Sequence, residues 1–170
     1  MRWRTNHFIQ ATVIFLIAVL TIAGCGGRLF TYKGDKVTQQ NLIAPFTDGN
    51  QQGEWKTNEL AIKYQYQMTH ETMNIYGTVE LLGGFAIGFS QIGRLAVYLL
   101  FLDDQGIVIE NDLIYSVGNH HSINMIPMLF EKSIPIPAGV RAMSFAYDGV
   151  LVDPGDEDST AYSIGFSPSR

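Results

Sequence analysis

"RLAVYLLFLDDQGIVIEND", residues 94–112, decides the fold. From Leu95 to Leu102 every residue is apolar. A buried helix and a buried strand both tolerate such a run, but a helix usually needs about 10–12 residues or more. This run stops at Asp103-Asp104-Gln105-Gly106, a turn signal. The stretch therefore reads as a central strand buried on both faces, followed by a hairpin. Leu95, Val97, Leu99 and Phe101 fall on one face, Tyr98 and Leu100 on the other. On the return, Ile107, Ile109, Leu113, Tyr115 and Val117 alternate, with Asn111 as the exception.

Upstream, Leu60, Ile62, Tyr64, Tyr66 and Met68 alternate with Ala61, Lys63, Gln65 and Gln67. Period two with one apolar face is the mark of a half-buried strand. After Thr69-His70-Glu71-Thr72 it resumes with Met73, Ile75, Gly77, Val79 and Leu81, as expected of an antiparallel neighbour. Gly83-Gly84 ends that strand, and "FAIGFSQIG" (85–93) reads as a packed loop or irregular edge.

Downstream, "GNHHS" (118–122) reads as a loop. Pro127 confines the strand over 123–134 to an edge or a bulge. Pro137-Ala138-Gly139 turns the chain. Met143, Phe145 and Tyr147 then share one strand face, and Asp148-Gly149 breaks or bulges it. "DPGDEDST" (153–160) is an acidic loop. Tyr162, Ile164 and Phe166 form a last strand. About seven short strands without an amphipathic helix point to an all-β antiparallel sandwich over residues 54–170.

The segment ahead of the sandwich is polar. "GGRLFTYKGDKVTQQNLIAPFTDGNQQG", residues 26–53, is rich in Gly, Thr, Gln and Asn. Residues 25–53 read as a flexible tether, a coil reaching roughly 30 Å. The alternative is that Leu42-Ile43 and Phe46 pin part of it to the domain or form an edge strand. Ahead of it, Arg2 and Arg4 precede thirteen uncharged residues, "ATVIFLIAVLTIA" (11–23). That run suits the roughly 7–15-residue core of a secretory signal and falls short of the roughly 20 residues that span a bilayer.

Cys25 is the sole cysteine of the 170-residue chain. Ile22-Ala23-Gly24-Cys25 resembles the lipobox of bacterial lipoproteins. The resemblance implies that residues 1–24 are a cleaved signal peptide and that Cys25 carries a diacylglycerol and a further acyl chain. Two or more acyl chains hold a protein at a membrane where one does so only marginally. With its thiol so consumed, the domain has no disulfide and relies on its core. Gly26 stands where Asp would favour inner-membrane retention, so the family resemblance points to the outer membrane in a two-membrane cell.

A second resemblance covers residues 73–145, which look like FxLYD-type and related immunoglobulin-like modules of bacterial envelope proteins. It is carried by Gly77-Thr78-Val79, by Phe101-Leu102-Asp103-Asp104-Gln105-Gly106, and by Pro137-Ala138-Gly139 leading to Phe145. It implies an immunoglobulin-like sandwich that binds or spaces and brings no catalytic residues. The sequence departs from that pattern in its longer Gly-rich link, "GGFAIGFSQIG", and in continuing to Phe166.

After residue 24 the chain holds nine Lys/Arg against sixteen Asp/Glu, a net charge of −7. With no basic cluster, nucleic acid and anionic lipid are poor partners. Adjacent His120 and His121 point apart on an extended chain, and no cysteine or carboxylate lies at ligand spacing. Asp153, Asp156, Glu157 and Asp158 are oxygen ligands of the type Ca²⁺ takes, without the spacing of a helix–loop–helix site. Glu110 and Asp112 have no pocket partner. Ser122 beside His121 lacks an acid and an oxyanion hole. The expectation is a non-enzymatic, lipid-anchored envelope protein with no cofactor, serving an envelope protein partner as a binding or structural accessory. The alternative is a Ca²⁺- or carbohydrate-binding domain that uses the loop acids with Trp55, Tyr115 and Tyr162.

Overall fold

The computed structural model describes residues 31–69, 71–123, 127–153 and 160–170. Among them, nine strands run in chain order: β1 (Ala44–Pro45), β2 (Asn50–Lys56), β3 (Leu60–Met68), β4 (Thr72–Leu81), β5 (Gln91–Leu102), β6 (Val108–Ser122), β7 (Met128–Pro135), β8 (Ala142–Asp153) and β9 (Thr160–Phe166). A single helical turn, α1 (Phe85–Gly88), links β4 to β5. One sheet has the order β2-β3-β4-β7. The other has the order β1-β8-β5-β6, with β9 also on β8. Every pairing is antiparallel. The sheets pack as an immunoglobulin-like sandwich, and β3 to β9 are the seven strands that the alternation marks out.

The core follows from that alternation. Leu60, Ile62, Tyr64 and Tyr66 meet Met73, Ile75 and Val79 in one sheet. Leu95, Val97, Leu99, Phe101, Met143, Phe145 and Tyr147 face them from the other. β5 is interior, paired with β6 on one side and β8 on the other. Its second face is covered as well: Leu100 and Leu102 pack with Val108, Ala142, Ala146 and Val37 in a smaller cluster. The hairpin after β5 is built by Asp103, whose Oδ1 accepts the N–H groups of Gln105 and Ile107 at 2.8 and 2.9 Å. Gly106 supplies the positive φ of +78° that the turn requires.

The tether expectation fails over most of its length. The compact unit begins at Tyr32, not at Glu54. Val37 and Leu42 are buried, β1 pairs with β8, and β2 pairs with β3 from Asn50 onward. Residues 32–37 lie across the second face of the β5–β6 hairpin as a strap. Gly34 N–H donates to Val108 O, Val108 N–H to Asp35 O, and Val37 N–H to Gly106 O, all at 2.8–2.9 Å. Lys36 also bridges to Ser169 near the other end of the chain. Polar composition concealed the strap because main-chain groups, not apolar side chains, do most of its bonding.

Three smaller expectations also change. "GNHHS" is not a loop. β6 runs through it to Ser122, with an irregularity at Asn119, whose φ is +64°. Register shifts along β6 move the apolar phase, so Val108 and Ile114 are buried and Leu113 is exposed. β8 continues through Asp148-Gly149 without a break. Gly149 is there for close approach, since a Cβ would lie 3.0 Å from Leu95 Cδ1 and 3.1 Å from both Arg94 O and Ile164 Cγ1.

Both long edges of the sandwich are fastened. At one, Lys132 of β7 pairs with Asp112 of β6 across the two sheets. At the other, β8 is covered by β1 at residues 142–143 and by β9 from residue 147 on, leaving a gap at Ser144. Trp55 fills it. Its indole N–H donates to Leu42 O at 3.0 Å and to Ser144 Oγ at 3.2 Å, and Ser144 donates to Leu42 O at 2.7 Å. The ring meets Phe145, Tyr147 and Phe166 edge-on.

Phe101 is fully buried, whereas Tyr162 is 43 % exposed on the edge strand β9. Phe101→Ala should cost about 3–5 kcal/mol in urea melts, while Tyr162→Ala should cost about 1 kcal/mol. Equal losses would show that β5 is not the centre of the core. A chain starting at residue 54 should be less stable than one starting at residue 32 by at least about 3 kcal/mol, from the lost burial of Val37 and Leu42 alone. An unchanged midpoint would restore the tether reading.

Candidate functional site

The two sheets differ on their outward faces. The strap covers part of the five-stranded sheet, whereas the four-stranded sheet presents an open groove of about 1010 Å³. Strand register explains its lining. One row across β2, β3, β4 and β7 sets Gln52, Gln65, Tyr76 and Glu131 side by side. The next sets Glu54, Lys63, Thr78 and Leu129. These are the outward positions, because Trp55, Tyr64, Ile75 and Phe130 occupy the inward phase.

Two of the outward side chains are apolar. Tyr76 is 48 % exposed and Leu129 61 %. Tyr76 O–H donates to Gln65 Oε1 at 2.7 Å, which holds the ring over the sheet. Lys63 Nζ donates to both carboxylate oxygens of Glu80 at 2.9 and 3.0 Å. The hydrogen bond and charge of Glu80 raise the lysine's pKa, so Lys63 carries its charge throughout the physiological range. An aromatic face, two amides and a fixed ammonium suit recognition of a polar, extended ligand by stacking and hydrogen bonding.

A depression of about 930 Å³ at one end of the sandwich is lined by Phe46, Asp48, Met68, Pro137 and Arg141. A smaller one, about 520 Å³, lies beside Thr57, Glu59 and Tyr147. There, buried Tyr147 donates to Glu59 Oε2 at 2.8 Å and lies 2.9 Å from Thr57 Oγ1. Gly165 N–H donates to the same carboxylate oxygen at 3.1 Å. Glu59 thus links the β2–β3 turn to β8 and β9, a structural role.

The sequence-derived candidates do not converge. Trp55 is 4 % exposed and belongs to the core, so it is no ligand platform. Tyr115 packs against the inner cluster, and Tyr162 lies tilted against Phe85 and Phe89. Asp112 pairs with Lys132, and Glu110 lies 3.7 Å from Lys33. Asp153 is exposed at the end of β8. Asp156, Glu157 and Asp158 lie outside the described residues, as do His70 and the lipobox Ile22, Ala23, Gly24 and Cys25. Among the described residues, no three His, Cys, Asp or Glu side chains converge as a metal would need. Sequence reasoning passed over Tyr76 and Leu129. Their signal was there: each is an apolar residue on the polar phase of its strand.

Burial fixes a pH response. It is the largest cause of the raised pKa of Tyr147, where Glu59 adds to the rise and Thr57 opposes it. Burial, with Tyr98, Asp148 and Asp35 nearby, also raises Tyr32 from 10.0 to about 12. Between pH 10 and 12 the unfolded chain gives up phenolic protons that the folded chain keeps, so stability falls as pH rises. Below pH 10 these groups contribute no slope. Urea melts from pH 8 to 12 should show the decline starting near pH 10, with a shallower slope in Tyr147→Phe.

Comparison with protein-family models, with curated proteins and with solved structures finds no match to this chain.

Proposed function

We propose that the chain is a lipid-anchored protein of the bacterial cell envelope whose β-sandwich is a non-catalytic binding module. The observation that carries this reading is a spacing. The lipobox-like Ile22-Ala23-Gly24-Cys25 closes the uncharged run that starts at Ala11, and the folded unit begins at Tyr32, just beyond it. Export signal, lipid attachment point and folded domain therefore follow one another in the order a lipoprotein requires. Gly26 favours the outer membrane where two membranes exist. The acidic balance of the exported part works against nucleic acid as a partner.

The open groove of the four-stranded sheet is the binding surface in this reading, and an envelope protein is its first candidate partner. The ring of Tyr76 beside Gln52 and Gln65 favours a second reading, an envelope polysaccharide, because sugar rings stack on aromatics and bond to amides.

Cys25→Ser should accumulate as an uncleaved precursor without acyl label and should leave the detergent phase on temperature-induced separation. Normal processing and continued detergent partitioning would refute the anchor. For the groove, wild type should sediment with isolated peptidoglycan sacculi and Tyr76→Ala should not, with unchanged melting. Equal sedimentation of the two, or none, would remove the polysaccharide reading and leave a protein partner.

A further inference from the structure

We propose that the loop carrying α1 rests in the surface of the bilayer that holds the anchor, so that lipid and loop together orient the domain. This rests on the lipid-anchor reading. Ile87 is 89 % exposed at the tip of the loop. Phe85 and Phe89 flank it, their rings 5.2 and 5.9 Å from that of Tyr162, which is itself 43 % exposed. Residues 83–93 contain no charged side chain. A single exposed isoleucine is ordinary. One framed by two phenylalanines and a tyrosine, on an uncharged loop, is a contact surface. Tyrosine at its margin suits a boundary between hydrocarbon and water.

Chain length says what covers it. The seven residues 25–31 reach at most about 25 Å when fully extended, so an anchored domain cannot stand clear of the membrane. Traced back from Val37 to Tyr32, the strap climbs from the β5–β6 turn to the level of Tyr98, where the two tyrosine rings lie 5.5 Å apart. From Tyr98 to the start of β5 at Gln91 is seven residues, about 23 Å of strand. The anchor's reach thus extends to the end of the sandwich where α1 lies, and the apolar loop selects that end. Charge sets the kind of contact. Asp153 is exposed at the same end and the loop itself carries no charge, so attraction to anionic headgroups is not the source of binding. The contact is apolar insertion, independent of anionic lipid and of salt.

The full lipidated chain, reconstituted in phosphatidylcholine vesicles, tests this. With the thiol of Cys25 taken by lipid, Ile87→Cys offers the single reactive thiol for an environment-sensitive fluorophore. Gln105→Cys, in the exposed turn at the opposite end, is the control. The expected result is blue-shifted emission at residue 87, lost when nitroxide-bearing lipids are added and unchanged by high salt, with water-like emission at residue 105. Water-like emission at both positions in vesicle-bound protein would overturn the loop contact and leave the anchor reading intact. Quenching at residue 105 alone would overturn it too, by selecting the opposite end. A wild-type chain whose Cys25 takes the dye and stays in the aqueous phase would overturn the anchor reading and the loop contact together.

Discussion

The carbonyl of Leu42 holds the open edge of this sandwich closed. β8 is shared by two short partners, β1 and β9, which leave its Ser144 uncovered between them. A gap there would expose main-chain groups and admit water to Phe145. Instead the Trp55 indole crosses from the other sheet, and Trp55 and Ser144 both donate to Leu42 O. Three elements distant in sequence thus close one hydrogen-bonded triangle inside an aromatic cluster. Losing one member leaves a buried polar group unpaired, which costs about 1–3 kcal/mol. With a single cysteine in the chain, no internal disulfide can stand in for it.

The strands were legible because alternation in β3 and β4 is nearly uninterrupted, because the unbroken apolar run of β5 ends in a turn signal, and because a buried face leaves one register permissible. What escaped the sequence is what alternation does not record. The strap bonds through its backbone and buries only Val37 among polar neighbours, and Leu42 follows alone in a polar stretch. The irregularities of β6 add residues that shift the apolar phase. The site was less legible still. Trp55 carries the residue type of a ligand platform, but only the fold shows it in the core. Tyr76 and Leu129 look like minor breaks in a polar phase until register sets them in adjacent rows of one face.

The two outward faces have separate uses. The five-stranded sheet gives up part of its outer surface to the strap, so β5 and β8 both bury side chains on their two faces. The four-stranded sheet keeps its outer surface open, and its glutamines, Lys63 and Tyr76 remain available. Its exposed edge, β2, carries Glu54 and Lys56 and a glycine, features that discourage pairing with another chain. The proposed binding surface is therefore the face rather than the rim.

The strap also has a mechanical meaning. On the proposed lipid anchor, drag on a bound partner would reach the folded unit as tension at Tyr32. That load would fall first on the hydrogen bond from Tyr32 N–H to Asn111 Oδ1, then on those of Gly34, Asp35, Lys36 and Val37, and through Lys36 it would be shared with Ser169 near the far end of the chain. The strap would yield before the sheets and lengthen the leash, uncovering Leu100 and Leu102 while the inner core stays shut. The segment that closes the fold is thus also its weak link under force.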